Sequence, residues 1–314
     1  MDLTLKPAPP FRLDLTAWAL RRLPINAMDR WQDRTYSRVM LAGRTPVSLH
    51  VVQTGPPEEP VLRVTAGGRT SAARRSTVSA FLGRVLGLDS DLTPFYRLAR
   101  QDERLNSLAQ RFVGFRPPRL PSVFEALVNG IACQQLSLNV GIQLLNRLCV
   151  AYAPASGAQY AFPRPQDLAA ARPAGLKRLG FSGAKAMAIL QISRAISRGT
   201  LDLQSLARLD NAAAIDRLQQ LKGIGRWTAE YLLLRGLGRL DVFPAGDVGG
   251  QNKLQRWLQL KMRPADRDVN RILRRWSPYQ GLIYFHLLLD EQSRRGLLNP
   301  SADTPPAASS VTIT

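Results

Sequence analysis

The chain has 314 residues, with 43 Lys and Arg against 23 Asp and Glu, a formal net charge of +20, and 45% hydrophobic residues. It is apolar enough for packed cores and long enough for two or three of them, which excludes a disordered chain, and no apolar run approaches membrane-spanning length. The excess charge, carried mostly by Arg, points to a polyanionic partner, nucleic acid first, because guanidinium groups grip phosphate and stack on bases.

The opening MDLTLKPAPP lacks the apolar stretch and cleavage site of a secretory leader, so a soluble cytoplasmic protein is expected. Two cysteines, Cys133 and Cys149, are too few for a structural zinc or an iron–sulfur cluster and are expected as buried core thiols.

From Phe11 to Ala66 the pattern is short and alternating. Tyr36–Leu41, Val47–Val52 and Val61–Val64 predict strands, and Leu15–Asp29 predicts one or two helices, together a small antiparallel α/β unit. His50 in a strand and His286 in a later helix have no metal-spaced partner and are expected to be structural. From Ser76 the period turns helical, through Val78, Phe81, Leu82, Val85 and Leu86 and then Phe95, Leu98, Leu105 and Leu108. Arg116-Pro-Pro-Arg119 reads as a stiff linker. Ser122-Val-Phe-Glu125 then has the form of a capping box, opening a helix with the buried stripe Phe124, Leu127, Val128 and Ile131.

Gln134-Gln135-Leu136-Ser137 puts polar residues at the end of this apolar helix, where amides commonly cap a C-terminus. Residues 151–165 form an Ala/Pro/Gly-rich linker. Ser182 is expected to cap a helix over Ala184–Ser197, with Lys185 reaching a phosphate or solvent. Leu221-Lys222-Gly223-Ile224-Gly225 predicts a tight turn in which both glycines can take positive φ and leave amides bare, followed by a helix over Trp227–Gly236. Such a helix start, flanked by Lys222 and Arg226, is an anion site suited to phosphate. Asp247 follows in Phe-Pro-Ala-Gly-Asp-Val-Gly-Gly, poised as the N-cap of a helix over Val248–Leu260. Helices over Val269–Trp276 and from Trp276-Ser-Pro-Tyr-Gln280 to about Arg295 complete the chain, before a tail from Asn299 expected to be disordered.

The string Gly223-Ile-Gly-Arg-Trp-Thr-Ala, the following Leu-Arg-Gly-Leu-Gly, Asp241-Val-Phe-Pro and the spacing to Asp247 resemble the helix–hairpin–helix and Gly/Pro-Asp motif of base-excision DNA glycosylases. The version is that of the 3-methyladenine-DNA glycosylase II family. Phe112–Ser137, Leu179–Lys185 and Trp276–Gln280 resemble corresponding segments, and the likeness extends over about residues 10–298. It implies an α+β, predominantly α fold: a small antiparallel α/β domain at 1–75, a helical domain from 76–118 and 238–298 bearing the Asp, and a helical domain at 119–237 holding the hairpin.

The activity implied is monofunctional hydrolysis of the N-glycosidic bond of alkylated purines, of the 3-methyladenine and 7-methylguanine type, after base flipping. Asp247 is then the catalytic carboxylate, and Asp241 a structural cap. Gln135 or Leu136 is the wedge that fills the gap left by the base. Trp227 and Tyr231 wall the substrate pocket, with Leu288 and Val248 where the family carries further aromatics. Lys222, Gly223, Ile224, Gly225, Arg226, Thr228, Ser182 and Lys185 face DNA. Strand-cutting relatives carry a Lys nucleophile at the place of Trp227, so no Schiff base is expected from that position.

The resemblance implies duplex DNA with a damaged base as partner, a monomer, no membrane, no cofactor and no iron–sulfur cluster; a monovalent cation in the hairpin is the one inorganic ligand it admits. Two other readings stay open: a glycosylase with AP-lyase activity on oxidised bases, and a DNA-binding hairpin protein without catalysis.

Overall fold

The computed structural model describes residues 1–68 and 71–298; the tail expected from Asn299 lies outside the described residues. Five antiparallel strands, β1 (Asp2–Leu5), β2 (Arg30–Gln32), β3 (Thr35–Ala42), β4 (Thr45–Gln53) and β5 (Leu62–Ala66), form one sheet in the order β1-β5-β4-β3-β2. The short β1 and β2, absent from the predicted strands, close its two edges. Pairing of Tyr36 with Val51, Arg38 with Leu49 and Met40 with Val47 brings the apolar positions of β3 and β4 onto one face. Helices α1 (Leu13–Arg21) and α2 (Ala72–Leu86) cover that face, burying Ala17, Leu20, Val78, Leu82, Val85 and Leu86 against it.

A second core joins α3 (Thr93–Ala99), α4 (Glu103–Gln110), α12 (Val248–Leu258), α13 (Asp266–Leu273) and α14 (Gln280–Arg294). A third core holds seven helices: α5 (Val123–Cys133), α6 (Leu138–Tyr152), α7 (Pro165–Ala169), α8 (Pro173–Arg178), α9 (Gly183–Ser197), α10 (Asn211–Gln219) and α11 (Arg226–Leu232). The whole is α+β and predominantly α. The linker predicted over 151–165 carries a two-residue hairpin, Ala155–Ser156 against Gln159–Tyr160.

Two glycines let α5 approach α11 and the turn that continues it closely. A Cβ on Gly130 would lie 2.9 Å from Thr228 Cγ2, and one on Gly236 would lie 2.8 Å from Ala126 Cβ. After Leu232 the helix widens into a π turn over Leu233–Leu237, ended by Gly238 at φ +79°. Leu232 and Leu233 pack in the hairpin core and Leu234 in the Asp247-side core, so this one segment joins them.

Glu125 departs from the expected capping box. Ser122 Oγ accepts the Glu125 N–H at 3.0 Å, but the Glu125 carboxylate does not return to the helix start. It accepts from Arg38 (2.5 Å), which also donates to Asp29 (2.6 Å), and all three side chains are almost fully buried. Arg38 stands on the apolar face of β3, where its charge needs partners, and α5 supplies one of them.

Candidate active site

The turn between α10 and α11 is closed by the Ile224 N–H on Leu221 O (3.0 Å). Gly223 has φ +90°, and a Cβ there would meet Ala188 Cβ at 2.9 Å. Gly225 differs from expectation: at φ −90° and ψ 173° it is extended, and a Cβ on it would meet nothing within 4 Å. It is the N-cap of α11 and supplies no side-chain cap, so the first amides of the helix stay free of one. Lys222 and Arg226 are exposed beside them. Ile224 and Thr228, expected at the DNA surface, bury their side chains; Ile224 packs into the core, and the Thr228 hydroxyl accepts Gln134 Nε2 at 2.8 Å.

Gln134 also donates to Gly223 O (2.9 Å), committing that hairpin oxygen to a protein donor. Lys185, another residue expected to face DNA, spends its ammonium on the C-terminus of α5, donating to Ala132 O (3.1 Å) and Gln134 O (2.6 Å). Ser182 caps α9 as expected. Between these anchors Gln135 takes a left-handed φ of +53°, and Leu136 is 43% exposed, so the two wedge candidates form a projecting turn.

The loop ahead of α12 is clamped from three sides. Glu230, buried in α11, accepts Arg226 Nε (2.8 Å) with one oxygen and the Ala245 N–H (2.9 Å) with the other. Burial pushes its carboxyl up, against the pull of Arg226. Gln251 donates to Ala245 O (2.8 Å) and Asp266 (2.7 Å). Asp247 is the N-cap of α12: Oδ1 accepts the Gly250 N–H at 3.0 Å, and Oδ2 accepts the hydroxyl of Tyr284 from α14. Burial and the neighbouring Asp247 hold the Tyr284 hydroxyl well above its ordinary pKa, so it stays a donor. Asp241, expected as a structural cap, caps no helix; it is exposed and accepts Asn211 Nδ2 at 2.6 Å.

Asp247 opens onto a cavity of about 520 Å³. Trp227 and Tyr231 form one wall, their rings 5.6 Å apart and tilted by 34°. Tyr284, Leu288 and Val248 also line it, with Gln135 and Leu136 at its rim. Its basic groups were not anticipated. Arg22, at the end of α1, donates to Tyr231 Oη (3.0 Å) and Asn129 (2.7 Å). Arg235 is buried against Phe285, with its guanidinium 5.0 Å from the ring centroid.

Of the two thiols, Cys149 is buried as expected, whereas Cys133 lines this cavity. His50 meets Ser37 Oγ at 3.1 Å, and His286 sits among Phe95, Phe112 and Phe115, its pKa pushed down to about 4 by burial. Among the described residues no group of three or more His, Cys, Asp or Glu could hold a metal ion, and no helix is long and apolar enough to cross a membrane.

Tyr284, Glu230, Arg22 and Arg235 are among the side chains that sequence reasoning missed. Each sits in an apolar helical stripe or at a helix end, and only packing brings it to Asp247, to the loop ahead of it or to the cavity.

Residues 128–278 match the family model described as HhH-GPD superfamily base excision DNA repair protein. A DNA-3-methyladenine glycosylase of Bacillus subtilis is 29% identical over 218 residues, 68% of this chain and 72% of that one. DNA-3-methyladenine glycosylase 1 of Schizosaccharomyces pombe is 33% identical over 159 residues, 49% of this chain and 68% of that one. The structure of a 3-methyladenine DNA glycosylase from Archaeoglobus fulgidus superposes with a TM-score of 0.78 at 26% identity, over 94% of this chain and 100% of that one.

Proposed function

The chain belongs to the HhH-GPD superfamily of base excision DNA repair proteins, and on that premise we propose that it is a hydrolytic DNA glycosylase for alkylated purines. The observation that carries the proposal is the Asp247 carboxylate, held by one backbone N–H and one tyrosine hydroxyl at the mouth of a cavity walled by Trp227 and Tyr231. The lesion class comes from the relatives, which are named for 3-methyladenine.

The chemistry follows from where charge develops. The bond to be cut is hidden in the duplex, so the damaged nucleotide turns out of the stack and its base enters the cavity, while Leu136 or Gln135 fills the gap. The α11 amides with Lys222 and Arg226 hold phosphates and position the strand without reading sequence. As the base leaves, the sugar gains positive charge, and a fixed carboxylate beside C1′ stabilises it. The same carboxylate orients a water and takes its proton, completing hydrolysis. Alkylated purines carry part of the leaving-group activation in their own positive charge, and they stack on the Trp227 and Tyr231 rings.

Trp227 stands where a lyase of this family has its amine, so water rather than lysine is the attacking group in this proposal. The reaction so written needs no cofactor. Its partner is duplex DNA, and the nucleoid of the cytoplasm is where a monomeric protein would meet it.

The test is a duplex with one 7-methylguanine or 3-methyladenine-type lesion, scored for strand breaks with and without hot alkali. Alkali-dependent breaks, abolished in Asp247→Asn while DNA binding persists, are expected. Breaks without alkali would overturn the hydrolytic assignment, and an active Asp247→Asn would reduce Asp247 to a helix cap.

A further inference from the structure

Of the charged groups in the cavity that have no part in the chemistry above, one stands beside Asp247. Lys253 lies on α12, the helix that Asp247 caps, and lines the same cavity. Its ammonium donates to Gly249 O at 3.1 Å, and among the described residues its other two protons have no acceptor and no carboxylate lies within ion-pair distance of it. The charged groups around it are Asp247, Glu291, Arg256 and Arg295, and Glu291 is already taken by the two arginines. A methyl built on Gly249 would sit 3.1 Å from Asp247 Oδ1 and 3.4 Å from Lys253 Nζ. Carboxylate and ammonium therefore flank one gap, and a side chain on residue 249 would fill it.

An ammonium this close to the carboxylate is a liability unless something neutralises it, because it opposes the positive charge that develops on the sugar. Burial already holds the Lys253 pKa down, against the pull of Asp247. The occupant that resolves both problems is anionic and attached to the sugar itself. We propose that Lys253 is a positioning residue whose ammonium binds the phosphodiester flanking the extruded nucleotide, fixing the sugar so that its C1′ faces Asp247 across the gap at Gly249. The inference rests on Asp247 as the site of chemistry. It assigns the strand grip nearest that carboxylate to Lys253, with the hairpin cations gripping further along.

The experiment measures binding of the wild type, Lys253→Met and Lys253→Arg to a duplex carrying a tetrahydrofuran abasic analogue, over a range of salt concentrations. This probe has no base to excise, so its readout stands whether or not the alkylated-purine assignment holds. Lys253→Met is expected to bind several-fold more weakly and to reduce the slope of log affinity against log salt by about one, as the loss of a single phosphate contact does. Lys253→Arg should restore the slope, which an indirect folding defect would not do. An unchanged slope in Lys253→Met, together with an altered pH profile of excision, would overturn the proposal by confining Lys253 to tuning Asp247. A borohydride-trapped protein–DNA adduct present in the wild type and lost in Lys253→Met would also overturn it, since the amine would then be a nucleophile.

Discussion

Replacing Arg38 with Met would test how the sheet is bolted to α5, the helix that leads into the Gln135–Leu136 turn. The guanidinium is 2% exposed and bridges Asp29 and Glu125, which are equally buried. Breaking a buried ion pair by deleting one partner typically costs about 3–5 kcal/mol, because the other charge is stranded. Here the cheapest escape for Glu125 is to bind a proton. At pH 7, keeping a carboxyl of ordinary pKa near 4.3 neutral costs about 3.7 kcal/mol, at 1.36 kcal/mol per pH unit. Asp29 keeps the Tyr36 hydroxyl at 2.8 Å and is partly compensated. A loss of about 4 kcal/mol at pH 7 is therefore expected, out of a total in the range of about 5–15 kcal/mol.

The sign of the pH dependence follows. In the variant the folded state holds the proton on Glu125 and the unfolded chain releases it. The deficit relative to wild type must then shrink on acidification, by about 1.4 kcal/mol per pH unit between pH 7 and 5. Urea unfolding of wild type, Arg38→Met and Arg38→Met/Glu125→Met at pH 7 and 5.5 provides the check, and the double variant should recover part of the loss. A deficit under about 1 kcal/mol, given the magnitudes expected of a stranded buried charge, or one independent of pH would refute the reasoning.

The two hairpin glycines should respond oppositely to alanine. Gly223→Ala forces a side chain into the left-handed region and against Ala188, costing about 2 kcal/mol or more in thermal unfolding. Gly225→Ala meets no protein atom within 4 Å and should change stability by less than about 1 kcal/mol, yet weaken DNA binding, because its methyl would occupy the open space at the start of α11. Lys185→Met releases the carbonyls of Ala132 and Gln134, so excision should slow while the salt dependence of binding stays unchanged; a reduced salt slope would instead make Lys185 a phosphate contact. His286 binds its proton near pH 4 when folded and near 6.5 when unfolded, so acidification across that window favours the unfolded state by up to about 3 kcal/mol. His286→Phe should flatten that part of the pH–stability curve, and an unchanged curve would contradict the assignment.

What could be read from the sequence was whatever is local in the chain. Gly223, Lys222, Arg226 and Trp227 are consecutive or nearly so, and a helix start after a glycine turn exposes amides whatever packs around it. The cap at Asp247 was equally local, as were the strands over 36–52, with their alternation. Tyr284 was invisible because a tyrosine in an apolar helical stripe looks like core, and it is core on every side but the one facing Asp247. Glu125 shows the converse error: a Ser-x-x-Glu pattern promises a reciprocal cap, but a buried arginine 87 residues away along the chain outbids the backbone for the carboxylate. Lys185 and Thr228 were expected at the DNA surface from their positions in motifs. Their partners, the end of α5 and Gln134, belong to a different segment, and only the tertiary arrangement reveals that they brace the turn at Gln135 and Leu136.

The cap that Asp247 supplies and the catalytic role proposed for it do not compete. An N-cap carboxylate has one oxygen fixed by the helix, and that bond sets the direction of the other. With Oδ1 on the Gly250 N–H and Oδ2 on the Tyr284 hydroxyl, both bonds leave the negative charge in place, since neither donor is cationic. The pairing that would cancel the charge is with Lys253, and the geometry holds that lysine on Gly249 O instead. Glu230 then fixes the preceding loop to α11 and Gln251 ties the same loop to α12, so the carboxylate is braced against the Trp227–Tyr231 wall. An arrangement serving only to start α12 would need the first of these contacts and none of the others.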